Sequence, residues 1–523
     1  MKTPIKSAIN KLKEEDKMGK YLYGASVQGI QGFIFETNKL KEIVGASDLI
    51  EWFCEVNFIK NYVNKENVVR NAGGNIRVIF EDKEQLEKMV REFPKYVMKK
   101  AYGITISQAV VEFKKGEYLD KKDELEYKLT KARNQATIPL DARFTLMKQT
   151  PRTGKPAFES EIYDKGTQKE RTEYFDKGNW QKKENREEAK FILLKKMKQS
   201  SSDFTKFSSE IDKITNNNKI AIIHVDGNSM GLILQRINSK LKGRDDGIVQ
   251  KFFKDFSNAI TKSTNDAVTE AFNKNFINFF DTDNIPFRPI VIGGDDVTVI
   301  CNPSLALEFT KDYLEAFERN TKNNFTSLVQ KFDLEEDLEE DLKNGLTACA
   351  GISFCNSKFP FHYAYDLAEH LCSYAKKESN RKASCLAFHN IQSSFVEDYQ
   401  TYIKQELTTE EGIKLLFAPY FTKQEPKIET LIELYELFGD SDIPLGKYRE
   451  WLSELHKSQE YAKLFLERIN SVLKSKNPKK YNDIDKKLQE LNSNLKLSNL
   501  VVDNKTPMQD ILQLKSVKEG SKS

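Results

Sequence analysis

The stretch Arg288-Pro289-Ile290-Val291-Ile292-Gly293-Gly294-Asp295-Asp296-Val297-Thr298-Val299-Ile300 limits the fold more than any other. Two β-branched apolar runs around a glycine-containing turn predict a tight hairpin. Gly293 and Gly294 permit backbone angles that other residues resist, and they leave room for a phosphate or base. Asp295 and Asp296 then stand side by side at the tip. Adjacent carboxylates in an apolar hairpin repel each other, and divalent cations relieve the repulsion. A plain surface turn explains this arrangement less well than a cation site does.

A third acid lies upstream. Residues 219–226 read as a buried strand ending in Asp226, followed by the turn Gly227-Asn228-Ser229-Met230-Gly231. Ile248, Phe252, Phe253, Phe256, Ile260, Ala267, Val268 and Ala271 then recur at helical spacing. After the hairpin, Asn302 and Pro303 fit an N-cap and first helical position, and Leu305, Phe309, Tyr313 and Phe317 follow at i, i+4 spacing. A strand over 346–354 completes the order βαββαβ, the ferredoxin-like unit. In that fold the first strand lies beside the hairpin, so Asp226 comes next to Asp295 and Asp296. Three converging carboxylates suit a two-metal phosphoryl-transfer site, with the Gly227 carbonyl as a further hard oxygen ligand. The backbone of the Gly227, Asn228, Ser229 and Gly231 turn is expected to offer N–H groups to a triphosphate. Strand alternation puts His224 on the face of Asp226, where a packing role competes with a catalytic one.

These residues carry a resemblance. The strand with its Asp-Gly-Asn turn, the helix and the Gly-Gly-Asp-Asp hairpin resemble the palm of nucleotidyl cyclases and polymerases. They most resemble the large polymerase/cyclase subunit of type III CRISPR effector complexes. Ser357-Lys358-Phe359-Pro360-Phe361, then Ala364, Leu367, Ala368, Leu371, Tyr374, Ala375 and Lys376, are similar to that family's helix after the fourth strand, and to the lysine-bearing helix of GGDEF-type diguanylate cyclases. Residues 383–389 resemble the family's closing strand. The resemblance, over roughly 21–160 and 219–391, implies that Lys376 neutralises phosphate charge, with Lys377 the alternative one register away.

The opening of the chain repeats the theme without the acids. Val27-Gln28-Gly29-Ile30-Gln31-Gly32-Phe33-Ile34, then Gly45-Ala46-Ser47-Asp48-Leu49-Ile50, resemble the opening of the same family's first palm. Ser47 is expected to cap a helix carrying Leu49, Ile50, Phe53 and Val56. In the hairpin over 68–80, Gly73-Gly74 align with Gly293-Gly294, which sets Asn75 and Ile76 in place of the two aspartates. Isoleucine cannot ligate a metal and asparagine binds a hard cation poorly. The first palm is therefore expected to be silent, pairing with the second to wall off a nucleotide pocket.

The fold class expected is α+β: two ferredoxin-like (βαββαβ) palm domains with a helical linker and a helical C-terminal domain. The boundaries are a polar tail at 1–20, a first palm at 21–115, a linker at 116–218 without zinc cysteines, a second palm at 219–391 and helices at 392–523. Within the linker, residues 159–218 read as helices, and 150–157 as a loop held by packing and prolines. Lys474, Lys476, Lys479 and Lys480 beside Tyr481 read as a solvated helix edge, with an RNA contact as the competing reading. Residues 515–523 read as a frayed tail.

With 82 basic and 78 acidic residues the net charge is +4, so any nucleic-acid surface must be a local patch. Cys54, Cys301, Cys349, Cys355, Cys372 and Cys385 form no CxxC pair and read as buried thiols, not disulfides or zinc ligands. No signal peptide or membrane span is evident, so a cytoplasmic protein is expected. No His-Asp dipeptide of the kind used by the family's nuclease domain occurs, so DNA cleavage is not expected.

Two functions stay open. One is a nucleotidyltransferase using Mg2+ or Mn2+ to turn a nucleoside triphosphate, ATP favoured, into a cyclic (oligo)nucleotide messenger in antiviral defence. The other is a non-catalytic scaffold that binds RNA or CRISPR-type protein subunits and keeps the acids as a nucleotide sensor.

Overall fold

A computed structural model describes residues 19–54, 59, 62–135, 146–163, 171–184, 191–208, 210–215, 218–333, 342–392, 399–440 and 442–519. The first sheet contains β1 (Lys20–Gln28), β2 (Val68–Ala72), β3 (Asn75–Phe80) and β4 (Thr105–Phe113), in the order β2-β3-β1-β4. Its helices are α1 (Ile30–Ile34), α2 (Leu40–Cys54) and α3 (Lys83–Lys100). Asp82 caps α3 by accepting from the Glu84 amide. Leu86, Met89, Phe93 and Val97 recur on the buried side of α3, beside Tyr23, Ile76 and Val78 of the sheet.

The connection begins with α4 (Tyr118–Arg133). Where helices are expected from 159, the structure has an antiparallel pair, β5 (Glu159–Tyr163) and β6 (Arg171–Phe175), before the short helices α5 (Lys177–Lys183) and α6 (Ile192–Lys196). Thr172, Glu173 and Tyr174 lead into a buried Phe175, and this strand pattern prevails over the charge that suggested helix. The 150–157 loop is held by charge as well as packing: Arg152 bonds Glu42 at 2.9 Å and Glu173 at 2.8 Å.

The second sheet repeats the first and extends it. It contains β7 (Lys219–Gly227), β8 (Phe287–Gly293), β9 (Asp296–Cys301), β10 (Ala348–Asn356), β11 (Cys385–Asn390) and β12 (Tyr420–Phe421), in the order β12-β11-β10-β7-β9-β8. Two helices stand where one is expected, α7 (Met230–Lys240) and α8 (Asp246–Phe276). Then come α9 (Ala306–Phe332), introduced by an Asn302 cap that accepts from the Ser304 amide, and α10 (Phe361–Glu378). Alternation along β7 divides the core: Ile220 and Ile222 join the cluster shared with the first palm, while Ala221, Ile223 and Val225 pack with α8 and α9. Phe256 stacks on Phe325 at 5.3 Å between those two helices.

Several expectations change. Ser47 lies inside α2, not at its start, because Leu40 and Ile43 already carry the buried face. The C-terminal region is α11 (Tyr399–Gln405), α12 (Ile428–Phe438), α13 (Leu445–Lys457), α14 (Gln459–Lys476), α15 (Pro478–Leu491) and α16 (Met508–Glu519), yet it also gives the palm sheet its edge strand β12. The expected frayed tail is helix through residue 519, since Leu514 and Val517 are buried. Lys480 is held by Asp442 at 2.8 Å, which favours the solvated-edge reading of that basic stretch. Residues 1–18 and 520–523, Val56 and most of the 136–149 loop fall outside the described residues. Among the described residues no helix is long and apolar enough to cross a membrane. Five of the six cysteines are described as free and buried.

His389 of β11 packs edge-on to Tyr402 at 5.0 Å, and burial pushes its imidazole down from 6.5 to about 4. The unfolded chain therefore binds this proton before the folded one does. The resulting stability, about 3 kcal/mol, is full above pH 6.5 and is lost as pH falls toward 4. Replacing His389 by Phe is expected to flatten that acid limb, read as denaturant midpoint against pH. An unchanged slope would mean that His389 does not couple folding to protons.

Candidate active site

The acids meet because of strand register. Val225 of β7 faces Val297 of β9, so the next step sets Asp226 against Asp296. Gly293 pairs with Asp296, which leaves Gly294-Asp295 as a two-residue turn with Gly294 at φ 66°. Ligand atoms of Asp226, Asp295 and Asp296 lie within 4.8 Å of one another, the one such cluster of three or more His, Cys, Asp or Glu among the described residues. Gly227 is required beside them, since a Cβ there would come within 2.7 Å of Asp295 Oδ2. Thr264 of α8 holds the turn from behind, donating to the Gly294 carbonyl at 2.6 Å. No sequence signal marked Thr264; it is one more polar position in a long helix.

Crowding sets the electrostatics. Loss of hydration, then the charge of Asp226, raises the Asp295 carboxyl above its ordinary value. Asp296 is raised well above it, by lost hydration first and then by Asp295 and Asp226. Lys376 works against this: its ammonium pairs with Asp226 and donates to the Gly227 carbonyl at 2.9 Å. Lys377 is exposed on the outer side of α10, so Lys376 is the lysine that reaches the cluster. Gly351 makes that reach possible. A Cβ at Gly351 would lie 2.6 Å from the Cys372 amide nitrogen, so α10 can rest on β10 only where no side chain intervenes.

The turn after Asp226 is built unevenly. The Asn228 side chain points inward, donating to Thr347 Oγ1 at 2.9 Å and to the Ala383 carbonyl at 3.3 Å. It braces the turn, and the backbone is left to face a ligand. Ser229 sits at φ 58° as the residue before α7, whose first intrahelical bond runs from Ile233 to Ser229. The Met230, Gly231 and Leu232 amides at the head of α7 are thus left without acceptors in the helix. Space over Gly231 and Gly294 is open. His224 is buried, its Nδ1 3.2 Å from Thr298 Oγ1 and its ring edge-on to Tyr365, and burial pushes it down to about 4. These contacts make it a packing residue.

The first palm shows what the same tip is without acids, and here the register corrects the sequence alignment by one residue. Ala72 pairs with Asn75, so Gly73-Gly74 is the two-residue turn. Turn for turn, Gly74 matches Asp295 and Asn75 matches Asp296, while Ser26, paired with Asn75, matches Asp226. Ser26 Oγ donates to Asn75 Oδ1 at 3.0 Å. The repeated spelling Gly-Gly misleads because the turn, not the letters, decides which residue occupies the tip.

Residues 219–385 match the family model for the second palm domain of Cas10/Cmr2. The chain carries a Cas10-like palm. Solved structures resemble this chain over nearly its whole length. A Csm1-Csm4 cassette in complex with cA3 superposes with a TM-score of 0.51 at 11% identity, covering 96% of this chain and 70% of that chain. The same cassette with pppApA gives a TM-score of 0.50 at 11% identity, covering 98% and 71%. The apo cassette gives 0.50 at 12% identity, covering 97% and 70%. These likenesses establish the fold. None of the curated proteins matches the sequence.

Two outcomes test the site. Asp296→Asn is expected to raise the metal-free melting temperature, because it removes a carboxylate crowded by Asp295 and Asp226; Asp296 is exposed, so solvent screening keeps the gain small. Adding Mn2+ should stabilise the wild type and not the variant; equal metal stabilisation would dismiss Asp296 as a ligand. Gly351→Ala is expected to cost about 1–3 kcal/mol by overpacking α10 against β10, as judged by denaturant midpoint.

Proposed function

We propose that this chain is a metal-dependent nucleotidyltransferase that converts ATP, or another nucleoside triphosphate, into a 3′-linked cyclic (oligo)nucleotide with release of pyrophosphate, as a messenger in antiviral defence. The observation that carries this reading is the convergence of Asp226, Asp295 and Asp296 within 4.8 Å, with Lys376 bonded into the same cluster. The binding of cA3 and pppApA by the Csm1-Csm4 cassettes of similar fold supports it.

The donor set fits Mg2+ or Mn2+: three carboxylates and the Gly227 carbonyl are all hard oxygen ligands, at a place where negative charge is in excess. When bound, such ions supply a more acidic attacking 3′-hydroxyl and charge compensation on the departing pyrophosphate. The protein's own groups do the rest. Lys376 exchanges the Gly227 carbonyl for a phosphate oxygen, keeping its charge in the cluster. The amides at the head of α7, around Ser229 and Gly231, orient the triphosphate. Bare backbone at Gly294, over which space is open, lets the sugar approach the acids, while Gly293 packs against Glu51 and Gly73 of the first palm. The silent tip of the first palm walls the pocket and supplies no ligand. RNA or CRISPR-type protein subunits are the partners this reading brings with it.

Incubating the purified protein with ATP and Mn2+, then analysing products by mass spectrometry, tests the proposal. Short cyclic 3′-linked products are expected, absent with 3′-deoxy-ATP and reduced at least 100-fold by Asp295→Ala plus Asp296→Ala, a loss of about 3 kcal/mol or more in transition-state stabilisation. Asn75→Ala should alter turnover far less than Asp226→Ala. Products that form equally well from the 3′-deoxy substrate would rule the mechanism out.

A further inference from the structure

The strand that leads into the acid tip is the outermost of its sheet. β8 pairs with β9 and, among the described residues, has no strand on its other side. A hairpin of this kind, with one unsupported edge, flexes unless something holds that edge. Here the holding groups come from the first palm and the linker packed on it. Ser47 of α2 donates its hydroxyl to the Ile290 carbonyl. Two residues on, Lys196 at the end of α6 donates to the Ile292 carbonyl at 2.8 Å. Ile292 lies one step outside the Gly293–Asp296 pair, where antiparallel alternation turns its carbonyl away from β9. Lys196 is aimed by an ion pair with Glu51 of α2, and Glu51 is itself buried. A Cβ at Gly293 would lie 3.5 Å from Glu51 Oε1 and 3.5 Å from the Gly73 Cα of the first palm's own tip. Further back along β8, buried Arg288 donates to the Phe207 carbonyl at 2.9 Å and faces the Asp48 carboxylate of α2.

We infer that Lys196 is a positioning residue for the acid hairpin: bridging Glu51 to the Ile292 carbonyl, it lets helix α2 of the first palm set where Asp295 and Asp296 stand. The inference rests on reading those acids as a metal site. The silent palm thereby gains a task beyond walling a pocket. An ordinary surface ion pair would have no reason to place its ammonium on an edge-strand carbonyl two residues before a metal turn. Ser47 and Asp48 act on the same strand from the same helix, so any shift of α2 relative to the second sheet is passed to the tip.

Full-length Lys196→Ala, Lys196→Arg and Glu51→Gln test this, with Lys198→Ala as a control. Lys198 is exposed and pairs with Asp266 of α8. Three readouts are taken: hydrogen–deuterium exchange over residues 287–301 without metal, Mn2+ affinity by electron paramagnetic resonance of the free ion, and kcat and KM with ATP. Lys196→Ala is expected to speed exchange in the hairpin about 10-fold and weaken Mn2+ binding about 10-fold. It should lower kcat roughly 10- to 100-fold with KM changed less than about 2-fold, the cost of a misplacement of about 1 Å. Lys196→Arg should restore most of each, and Glu51→Gln should give a smaller change in the same direction. Wild-type hairpin exchange and Mn2+ affinity in Lys196→Ala would overturn the inference. So would global unfolding of Lys196→Ala if Glu51→Gln leaves both readouts unchanged. If the wild type makes no product yet exchange and Mn2+ affinity respond as expected, the positioning role stands and the proposed activity falls.

Discussion

Three carboxylates held within 4.8 Å of one another repel, and their surroundings keep them there. Each restraint comes from a different element. β7 and β9 bring Asp226 and Asp296 together by register. Thr264 anchors the turn through the Gly294 carbonyl. Lys376 compensates part of the charge from α10, which lies close enough only because residue 351 is glycine. The proposed cation site calls for such reinforcement, since its ligands must stand in place before an ion arrives.

The two palms solve the same tip in opposite ways. In the first, Ser26 and Asn75 satisfy each other with a hydrogen bond, and nothing needs compensating. In the second, the same positions are acids and the tip is electrostatically unfinished. A sheet without an internal charge problem can serve as support. Its helix α2 reaches the outer edge of β8 through Ser47 and, by way of Glu51, Lys196. One palm thus carries the acid cluster and the other a neutral tip.

Much of the site was legible because its determinants are local. A β-branched run ending in Asp226, a Gly-Gly-Asp-Asp turn and the order βαββαβ suffice to bring three acids together, and they do so. Lys376 was legible through resemblance, and helix geometry turns it, not Lys377, to the cluster. The failures share a cause. Ser47 has the chemistry of an N-cap, yet its hydroxyl serves a strand 243 residues away. Residues 171–175 are charged enough to suggest helix, but pairing with 159–163 makes them strand. The polar stretch near the C-terminus continues as helix because Leu514 and Val517 find a core built by earlier segments.

By itself the sequence determined the two palm repeats, the positions of the acids and the absence of acids at the first tip. Those follow from strand periodicity, turn chemistry and the few residues able to ligate a hard cation, all properties of short segments. Only the tertiary structure decided that Gly74 and Asn75, not Asn75 and Ile76, stand where Asp295 and Asp296 do, because a two-residue turn is defined by its pairing partners. Only the tertiary structure, too, turned Asn228 inward and joined Glu51 to Lys196 across 145 residues. Contacts of that range depend on how whole sheets pack, and no local pattern in the chain encodes them.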